Sequence, residues 1–366
     1  MNGLAVIEIP NFMTNNGVLT CFSLIFCSGL AAQTKPLPRT FSATNVSSIA
    51  LTETSRQSIA SEVGGAFMFP AKCDGDGNLY IRKYATDRPL LGPTVKIDSK
   101  GKRVSLFDPA SFSQVKLDRA DSFSPAPDGG FYQIAAVGID HPQIYVLHFS
   151  PDGSPSTPIR LDADFQPFQF AAFANGNLLA SGFQRDPQKK DDPGRSFTAV
   201  FSADGRLLAQ LALEPPPYFA HATQPAGKSG VSGSQASRPT LDLSDAEAGI
   251  DGNIYALRRS APALIYVISP AGTVIKTLNA KSHVPSLMPS AFHVSANRIA
   301  IAFWDDKTKS QTIVVTDAQS GRGIATYSDA GTLGPSFACY SADDGVFTFL
   351  HLGEGNTFEV IRAEAH

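Results

Sequence analysis

The chain has 366 residues, a formal net charge of −3 and 43% hydrophobic residues, which is enough apolar material for a large core. With no basic excess and no basic stripe, the charge excludes a protein built to bind nucleic acid or an anionic membrane surface. The 30 Gly and 26 Pro are not periodic as in collagen and suit a turn-rich all-β chain, while the 25 Phe indicate aromatic packing between sheets.

Residues 1–32 are predicted to be a secretory signal peptide. An apolar stretch, residues 18–30, is too short to span a bilayer and is followed by a small-x-small cleavage motif ending at Ala31. No Lys or Arg precedes this stretch, and Met13 is an alternative start. We therefore expect export to the periplasm or the extracellular space, without membrane insertion after cleavage. A lipoprotein attached through Cys27, a membrane-anchored form and a cytoplasmic form are the alternatives.

Residues 33–366 are predicted to be a single domain built from repeats. A turn rich in Asp, Asn and Gly leads into a run of alternating apolar and polar residues, which is typical of a hairpin entering a strand. This turn occurs at residues 74–78, 127–130, 174–177, 250–253, 296–298 and 343–345. Six such units, of about 45–50 residues each, are expected to form one closed body.

A second turn follows a further apolar strand in five of the units. These second turns end at residues 101, 153, 205, 272 and 321. Each unit is therefore interpreted as four antiparallel strands, and four-stranded sheets repeated around an axis are the blades of a β-propeller. We predict an all-β, six-bladed β-propeller of four-stranded antiparallel blades with few helices. Residues 215–240, rich in Ser, Gly, Ala and Pro, are predicted to be a flexible insertion.

The sixth unit has only two strands after its first one. An open ring would leave an unpaired sheet edge, which natural folds avoid. We predict that an N-terminal strand, residues 41–53, closes the ring by pairing beside residues 357–363. Cys73 and Cys339 lie at nearly equivalent places in units one and six and become neighbours only if the ring closes. They form a disulfide, which an exported protein can keep, or they are two buried free thiols.

Unit four carries the runs DGNIYAL at residues 251–257 and SPAGTV at residues 269–274, after an apolar inner strand. This pattern resembles NHL-type six-bladed propellers, and the resemblance extends from residue 67 to residue 363. It implies the propeller fold together with activities as different as scaffolding, ligand binding and lactone hydrolysis. A WD40 propeller would need a Trp-Asp pair in most blades, whereas this chain has one, Trp304-Asp305.

Two local motifs imitate known sites and are interpreted as chance or as turns. Residues 74–78 resemble the start of a calcium loop, but Leu79 and Ala85 stand where an EF-hand requires Gly and Glu. Residues 227–229 resemble the end of a phosphate loop, but Ala222 stands in place of its leading Gly. We expect no cofactor and no metal site.

Counting back five and seven residues from each first turn gives the side chains expected to face the central channel. Most of them are small or apolar, but Asp245 and Glu247 share one strand face and form the only acidic cluster at these positions. Binding residues belong at one mouth of the channel and on its loops, because loops on a rigid scaffold carry function. The candidate ligand-binding residues are Lys72, Gln169, Asp245, Glu247 and His293.

The expected function is a non-catalytic binding or scaffolding module, acting as a monomer, that recognises a polar small molecule or a protein partner at the channel mouth. Because Lys72 opposes the two acids in charge, a polar, zwitterionic or sugar-like ligand fits better than a lipid. A structural alternative is that Asp245 and Glu247 only line a hydrated channel. The enzymatic alternative is a metal-dependent hydrolase of the lactonase type, with these two acids as metal ligands.

Overall fold

The structure, a computed structural model, describes residues 39–40, 48–63, 67–138, 142–186, 188, 192, 194–213, 242–353 and 357–365, without the side chains of residues 39–40 and 67–70. The predicted signal peptide, residues 1–32, and the predicted insertion, residues 215–240, lie outside this part. Within it, no helix is long and apolar enough to cross a membrane.

Short strands make up nearly all the regular structure of the described residues, as the repeats predict. The helical segments are α1, Ala60–Val63, and a 3-10 turn, Pro109–Ser111. The strands in chain order are β1 Arg39–Thr40, β2 Ile49–Ser58, β3 Phe67–Cys73, β4 Leu79–Lys83, β5 Thr94–Ile97, β6 Arg103–Phe107, β7 Arg119–Pro125, β8 Phe131–Val137, β9 Gln143–Phe149, β10 Ile159–Arg160, β11 Gln166–Ala172, β12 Leu178–Gln184, β13 Arg195–Phe201, β14 Leu207–Gln210, β15 Asp245–Ala248, β16 Ile254–Arg258, β17 Ala263–Ile268, β18 Val274–Ala280, β19 Pro289–Ser295, β20 Arg298–Asp305, β21 Ser310–Asp317, β22 Gly323–Asp329, β23 Ser336–Tyr340, β24 Phe347–Leu352 and β25 Phe358–Ala365.

These strands form antiparallel sheets arranged around an axis. Blade 1 contains β3 to β6, blade 2 contains β7 to β10, blade 3 contains β11 to β14, and blade 4 contains β15 to β18 with β1 added in parallel. A further sheet has the strand order β19-β20-β21-β22-β2-β25-β24-β23. The first strands contact one another in the closed order β3, β7, β11, β15, β19, β23 and back to β3, so they surround the axis of an all-β propeller.

The eight-stranded sheet differs from the prediction of six separate four-stranded blades. Ile49 and Ala50, at the start of β2, pair in parallel with Tyr327 and Ser328 of β22. The rest of β2 pairs antiparallel with β25. One strand therefore has hydrogen-bonded partners on both sides and joins two groups of strands into one sheet, which a count of repeated turns does not reveal.

The predicted pairing of an N-terminal strand with the C-terminal strand is confirmed, but its bounds were wrong. The described strand runs from Ile49 to Ser58, and residues 41–47 lie outside the described part. The prediction ended this strand at Glu53, whereas β2 continues through five further polar residues. An outer strand needs little apolar surface, since only Leu51 of β2 is buried. The polar second half of β2 is held by its backbone pairing with β25 and by an ion pair between Arg56 and Glu359, at 2.8 Å.

Five of the six predicted first turns are Asx-type turns, in which the side-chain oxygen of an Asp or Asn accepts a backbone hydrogen bond. Asp74 Oδ1 accepts hydrogen bonds from the backbone N–H groups of Asp76 and Asn78, and its Oδ2 accepts from Tyr80 and lies 3.0 Å from the Lys96 ammonium. Burial opposes ionisation, but the hydrogen bonds and the nearby ammonium outweigh it and hold the pKa of Asp74 below its usual value. These partners occupy the carboxylate that a calcium loop would need.

Aromatic side chains pack between blades, as the high Phe content predicts. Tyr80 and Phe107 of blade 1 stack with Phe131 of blade 2 at ring-centroid distances of 5.9 and 4.6 Å, and all three are fully buried. Phe149 joins them from β9 at 5.8 Å from Phe131. Offset aromatic contacts of this kind add to the free energy gained from burying the rings.

Cys73 of β3 and Cys339 of β23 form a disulfide, with their Cα atoms 6.0 Å apart. The structure thus selects the bond over the two free thiols. Because β3 and β23 are the first and the last of the strands around the axis, the disulfide ties together the two ends of the ring.

The glycine of the second turn in blade 3 lies against the outer strand of blade 2. Gly205 has φ +89°, and a Cβ atom there would be 2.0 Å from the carbonyl oxygen of Arg160. Gly77, in the first turn of blade 1, has a similar φ of +74° but open space around it. We expect Gly77→Ala to cost about 1 kcal/mol, the left-handed strain alone, and Gly205→Ala to cost roughly 3 kcal/mol or more. Urea unfolding of both variants measures this difference, and equal losses would contradict the close packing.

Candidate functional site at the channel mouth

The two ends of the propeller carry different connections. The first and second turns of the repeated units lie at one end, whereas the first strands begin at the other end. A cavity of about 340 Å³ opens at that second end, and we call it the mouth pocket. Its polar lining comes from Ser244, Asp245, Arg259, Ser290 and Ser336, and its apolar lining includes Ala71, Leu257, Pro289, Phe292, Pro335, Phe337 and Leu350.

Asp245, on the floor of the mouth pocket, is held by a lysine from across the axis. Lys72 is 1% exposed, and its Nζ lies 2.9 Å from Asp245 Oδ1 and donates to the Ala246 carbonyl at 2.7 Å. Its strand, β3, is not adjacent to β15 in the ring, so the side chain crosses the centre. A buried ion pair persists only with good geometry and further hydrogen bonds, and both are present here.

The Asp245 carboxylate has one engaged oxygen and one free oxygen. Oδ1 also accepts a hydrogen bond from the Ala246 N–H at 2.8 Å, whereas Oδ2 has no hydrogen-bond partner among the described residues. The side chain keeps 18% of its surface exposed. Burial raises the pKa of Asp245 above its ordinary value, the Lys72 ammonium opposes that rise, and the charge of Glu247 adds to it.

Glu247 and His293 form a second buried pair deeper along the axis. Glu247 Oε2 accepts a hydrogen bond from the Val294 N–H at 2.8 Å and lies 3.0 Å from His293 Nδ1. Both side chains are at least nine-tenths buried, and neither lines the mouth pocket. Their role in this arrangement is to connect β15 to β19.

The same kind of connection recurs between other first strands. Ser124 Oγ of β7 accepts from the Ala172 N–H of β11 at 3.2 Å, and Ser295 Oγ of β19 accepts from the Ala342 N–H, just after β23, at 3.0 Å. A side chain of one strand therefore satisfies a backbone donor of the next unit. These bonds tie neighbouring first strands together near the first turns, at the end of the ring away from the mouth pocket.

The structure brings together Lys72, Asp245, Glu247 and His293 of the predicted site residues. Of these four, Asp245 alone lines the mouth pocket, and the other three support it or lie beneath it. Gln169 is separate: it is partly exposed on β11 beside a register shift, and it does not line this cavity.

Sequence reasoning missed Ser244 and Arg259. Ser244 immediately precedes β15, and Arg259 immediately follows β16, so both lie just outside predicted strands. Their proximity could have been inferred from the sequence, because the start of one strand and the end of its antiparallel partner lie at the same end of a sheet. The register pairs Asp245 with Leu257 and so places both residues at the mouth.

A metal does not fit this donor set. The described residues contain no group of three or more His, Cys, Asp or Glu side chains arranged to hold a metal ion. The Lys72 ammonium lies against the Asp245 carboxylate, and Glu247 is engaged by the Val294 N–H. A divalent cation at Asp245 would be repelled by the ammonium beside it.

No protein-family model matches the sequence, and no curated protein sequence matches it. Solved structures similar in fold include the Pan2 WD40 domain of Neurospora crassa, with TM-score 0.46 and 12% identity over 85% of this chain and 95% of that one. A protein of unknown function from Dyadobacter fermentans has TM-score 0.49 and 10% identity over 86% of this chain and 99% of that one. Another, from Bacteroides caccae, has TM-score 0.42 and 12% identity over 71% and 80%. These likenesses concern architecture alone.

Proposed function

We propose that the protein is a non-catalytic binding module that takes a small polar ligand into the mouth pocket. The observation that carries this proposal is the free oxygen of Asp245, presented in a concave site by a buried lysine and a backbone N–H. Ligand sites are typically clefts of roughly 300–1,000 Å³ with apolar walls and a few placed polar groups. The mouth pocket has that composition and lies at the lower end of that range.

A scaffolding role with a protein partner is the broader version of the same proposal. Such a partner would have to insert a side chain or a chain end into the cavity, because the polar groups lie inside it. The size of the mouth pocket favours a small molecule. A protein partner that inserts a polar side chain or chain end would contact the same polar groups of the mouth pocket.

The lactonase alternative has less support. It needs Asp245 and Glu247 to bind one metal ion, whereas they are engaged by Lys72 and by Val294. Metal analysis of the purified protein separates the two functions. A stoichiometric calcium or zinc ion together with lactone hydrolysis would favour the enzyme over the binding module.

We also propose that the propeller has six blades of the NHL type, with the eight-stranded sheet acting as two blades. Support comes from four of the five second turns, which lie against the outer strand of the preceding unit. A Cβ at these glycines would meet that strand at 2.0–2.5 Å, and the pairs are Gly153 with Leu106, Gly205 with Arg160, Gly272 with Ala209 and Gly101 with Gln57. Gln57 belongs to β2, so β2 occupies the place of an outer strand completing a sixth blade.

Export to an oxidising compartment remains our proposal for localisation. Its support is the apolar segment at residues 18–30 together with the disulfide between Cys73 and Cys339. Disulfides persist mainly in secreted and periplasmic proteins, because the cytosol keeps thiols reduced.

The binding proposal is tested with Asp245→Asn. Monosaccharides, uronic acids, dipeptides and lactones are screened at about 1 mM by thermal shift, and hits are measured by calorimetry. Because a hydrogen bond to a charged group contributes about 1.5–3 kcal/mol, we expect this variant to bind a hit roughly 10–100-fold more weakly. Asp204→Asn, on an exposed turn at the opposite end, is the matched control and should bind normally. No hit, or a hit insensitive to Asp245→Asn in a folded variant, would overturn the proposal.

A further inference from the structure

The mouth pocket presents hydrogen-bond acceptors on its strand side. The Ser244 hydroxyl donates to the Leu257 carbonyl at 3.2 Å, and the Ser290 hydroxyl donates to the Ala302 carbonyl at 3.1 Å. Each hydroxyl has a single proton, so its oxygen is left to face a ligand as an acceptor. Together with Asp245 Oδ2, these oxygens match a ligand that carries several hydroxyl donors.

Arg259, an exposed residue of the mouth pocket, supplies hydrogen-bond donors and a positive charge. Its side chain is exposed, lines the mouth pocket, and forms no ion pair with any described residue. A guanidinium with free N–H groups binds a carboxylate through two parallel hydrogen bonds, which gives geometric selectivity as well as affinity.

The charge balance of the pocket favours an anion over a cation. Lys72 already compensates the Asp245 carboxylate at 2.9 Å, so a ligand ammonium would place a second cation beside the first. Arg259 is then the uncompensated charge of the cavity. The Glu247 and His293 pair does not line the cavity and does not alter this balance.

We infer that the ligand is a small polyhydroxylated monocarboxylate, such as a hexuronic acid, with its hydroxyls on Asp245, Ser244 and Ser290 and its carboxylate on Arg259. This inference rests on the proposed binding function and adds the chemical class and the orientation of the ligand. From the sequence we expected a polar, zwitterionic or sugar-like ligand, and this inference specifies an acidic sugar.

The test compares galacturonate and glucuronate with galactose and galactosamine by calorimetry. We expect the uronates to bind at least tenfold more tightly than the neutral sugar, and Arg259→Gln to abolish that preference by lowering the affinity for the uronates. Uronate affinity should fall as salt is raised, because the contact at the rim is solvent-exposed. Arg206→Gln removes an exposed arginine from the opposite end and should leave every affinity as it is.

The outcomes separate this inference from the proposed function. Equal or tighter binding of galactose or galactosamine, weakened by Asp245→Asn and unaffected by Arg259→Gln, would keep the binding module and reject the acidic ligand. No uronate binding at about 1 mM also rejects the acidic ligand. If no compound in the wider screen binds through Asp245, the proposed function itself is rejected.

Discussion

A chain that begins at residue 59 is expected to lose at least about 5 kcal/mol of unfolding free energy relative to a chain that begins at residue 48, since each net hydrogen bond contributes about 1 kcal/mol. The longer chain keeps β2, which forms seven residue pairs with β25 and buries Leu51 in the core. The shorter chain leaves β25 as an unpaired edge, which also promotes aggregation. Both chains lack β1, so the comparison isolates β2.

Urea unfolding followed by circular dichroism measures the two chains directly. A loss of this size is a large part of the roughly 5–15 kcal/mol that stabilises an ordinary domain. The shorter chain should therefore unfold at a much lower urea concentration or fail to fold cooperatively. Identical midpoints would show that β2 is an appendage rather than part of the ring.

Loss of the disulfide is the second change with a large expected effect. Cys73→Ser together with Cys339→Ser opens a link between residues 266 apart in sequence. On the chain-entropy model a loop of that length stabilises the fold by about 5 kcal/mol, chiefly by restricting the unfolded chain. We expect a loss approaching this value in denaturant unfolding.

Reductant provides the control for the cysteine variant. Dithiothreitol should destabilise the natural chain by a similar amount and should leave the double variant unchanged, since no other pair of described cysteines is present. A double variant as stable as the natural chain would indicate that the two ends of the ring are held without the covalent link.

The architecture was largely predictable because turns are local. An Asp, Asn and Gly turn is determined by a few neighbouring residues, as the Asp74 contacts show, and its repetition reveals the four-stranded units. The proximity of Cys73 and Cys339 was also predictable, because equivalent positions in the first and last units become neighbours when the ring closes. The sequence left a disulfide and two free thiols as alternatives, and the structure has the disulfide. The two-sided pairing of β2 was not, because it depends on the tertiary path of a single strand.

The site was predicted less well because counting from turns assumes that every turn has the same length. Five residues, 249–253, separate the paired residues Ala248 and Ile254. In the next unit Ala296 and Asn297 alone separate Ser295 from Arg298. The two turns differ in length by three residues, which is an odd number. Counting back the same number of residues therefore reaches a side chain on the opposite face of the strand.

This reversal explains which residues of β19 face Glu247. Counting back five residues in that unit leads to Phe292, which packs in the core beside the mouth pocket. The axial neighbour of Glu247 is His293 instead. The sequence pattern identifies β19 as a strand, but the length of the turn after it decides which of its side chains face the axis.

The pairing of β2 with β25 sets an order of events during synthesis. Thr54 and Arg362, which share a hydrogen bond, are 308 residues apart. At about 5–20 residues per second, the ribosome makes β25 roughly 15–60 s after β2. Throughout that time β2 lacks the strand it pairs with along most of its length. Blades 1 to 4 can form as their hairpins emerge, whereas the last sheet must wait for the final residues.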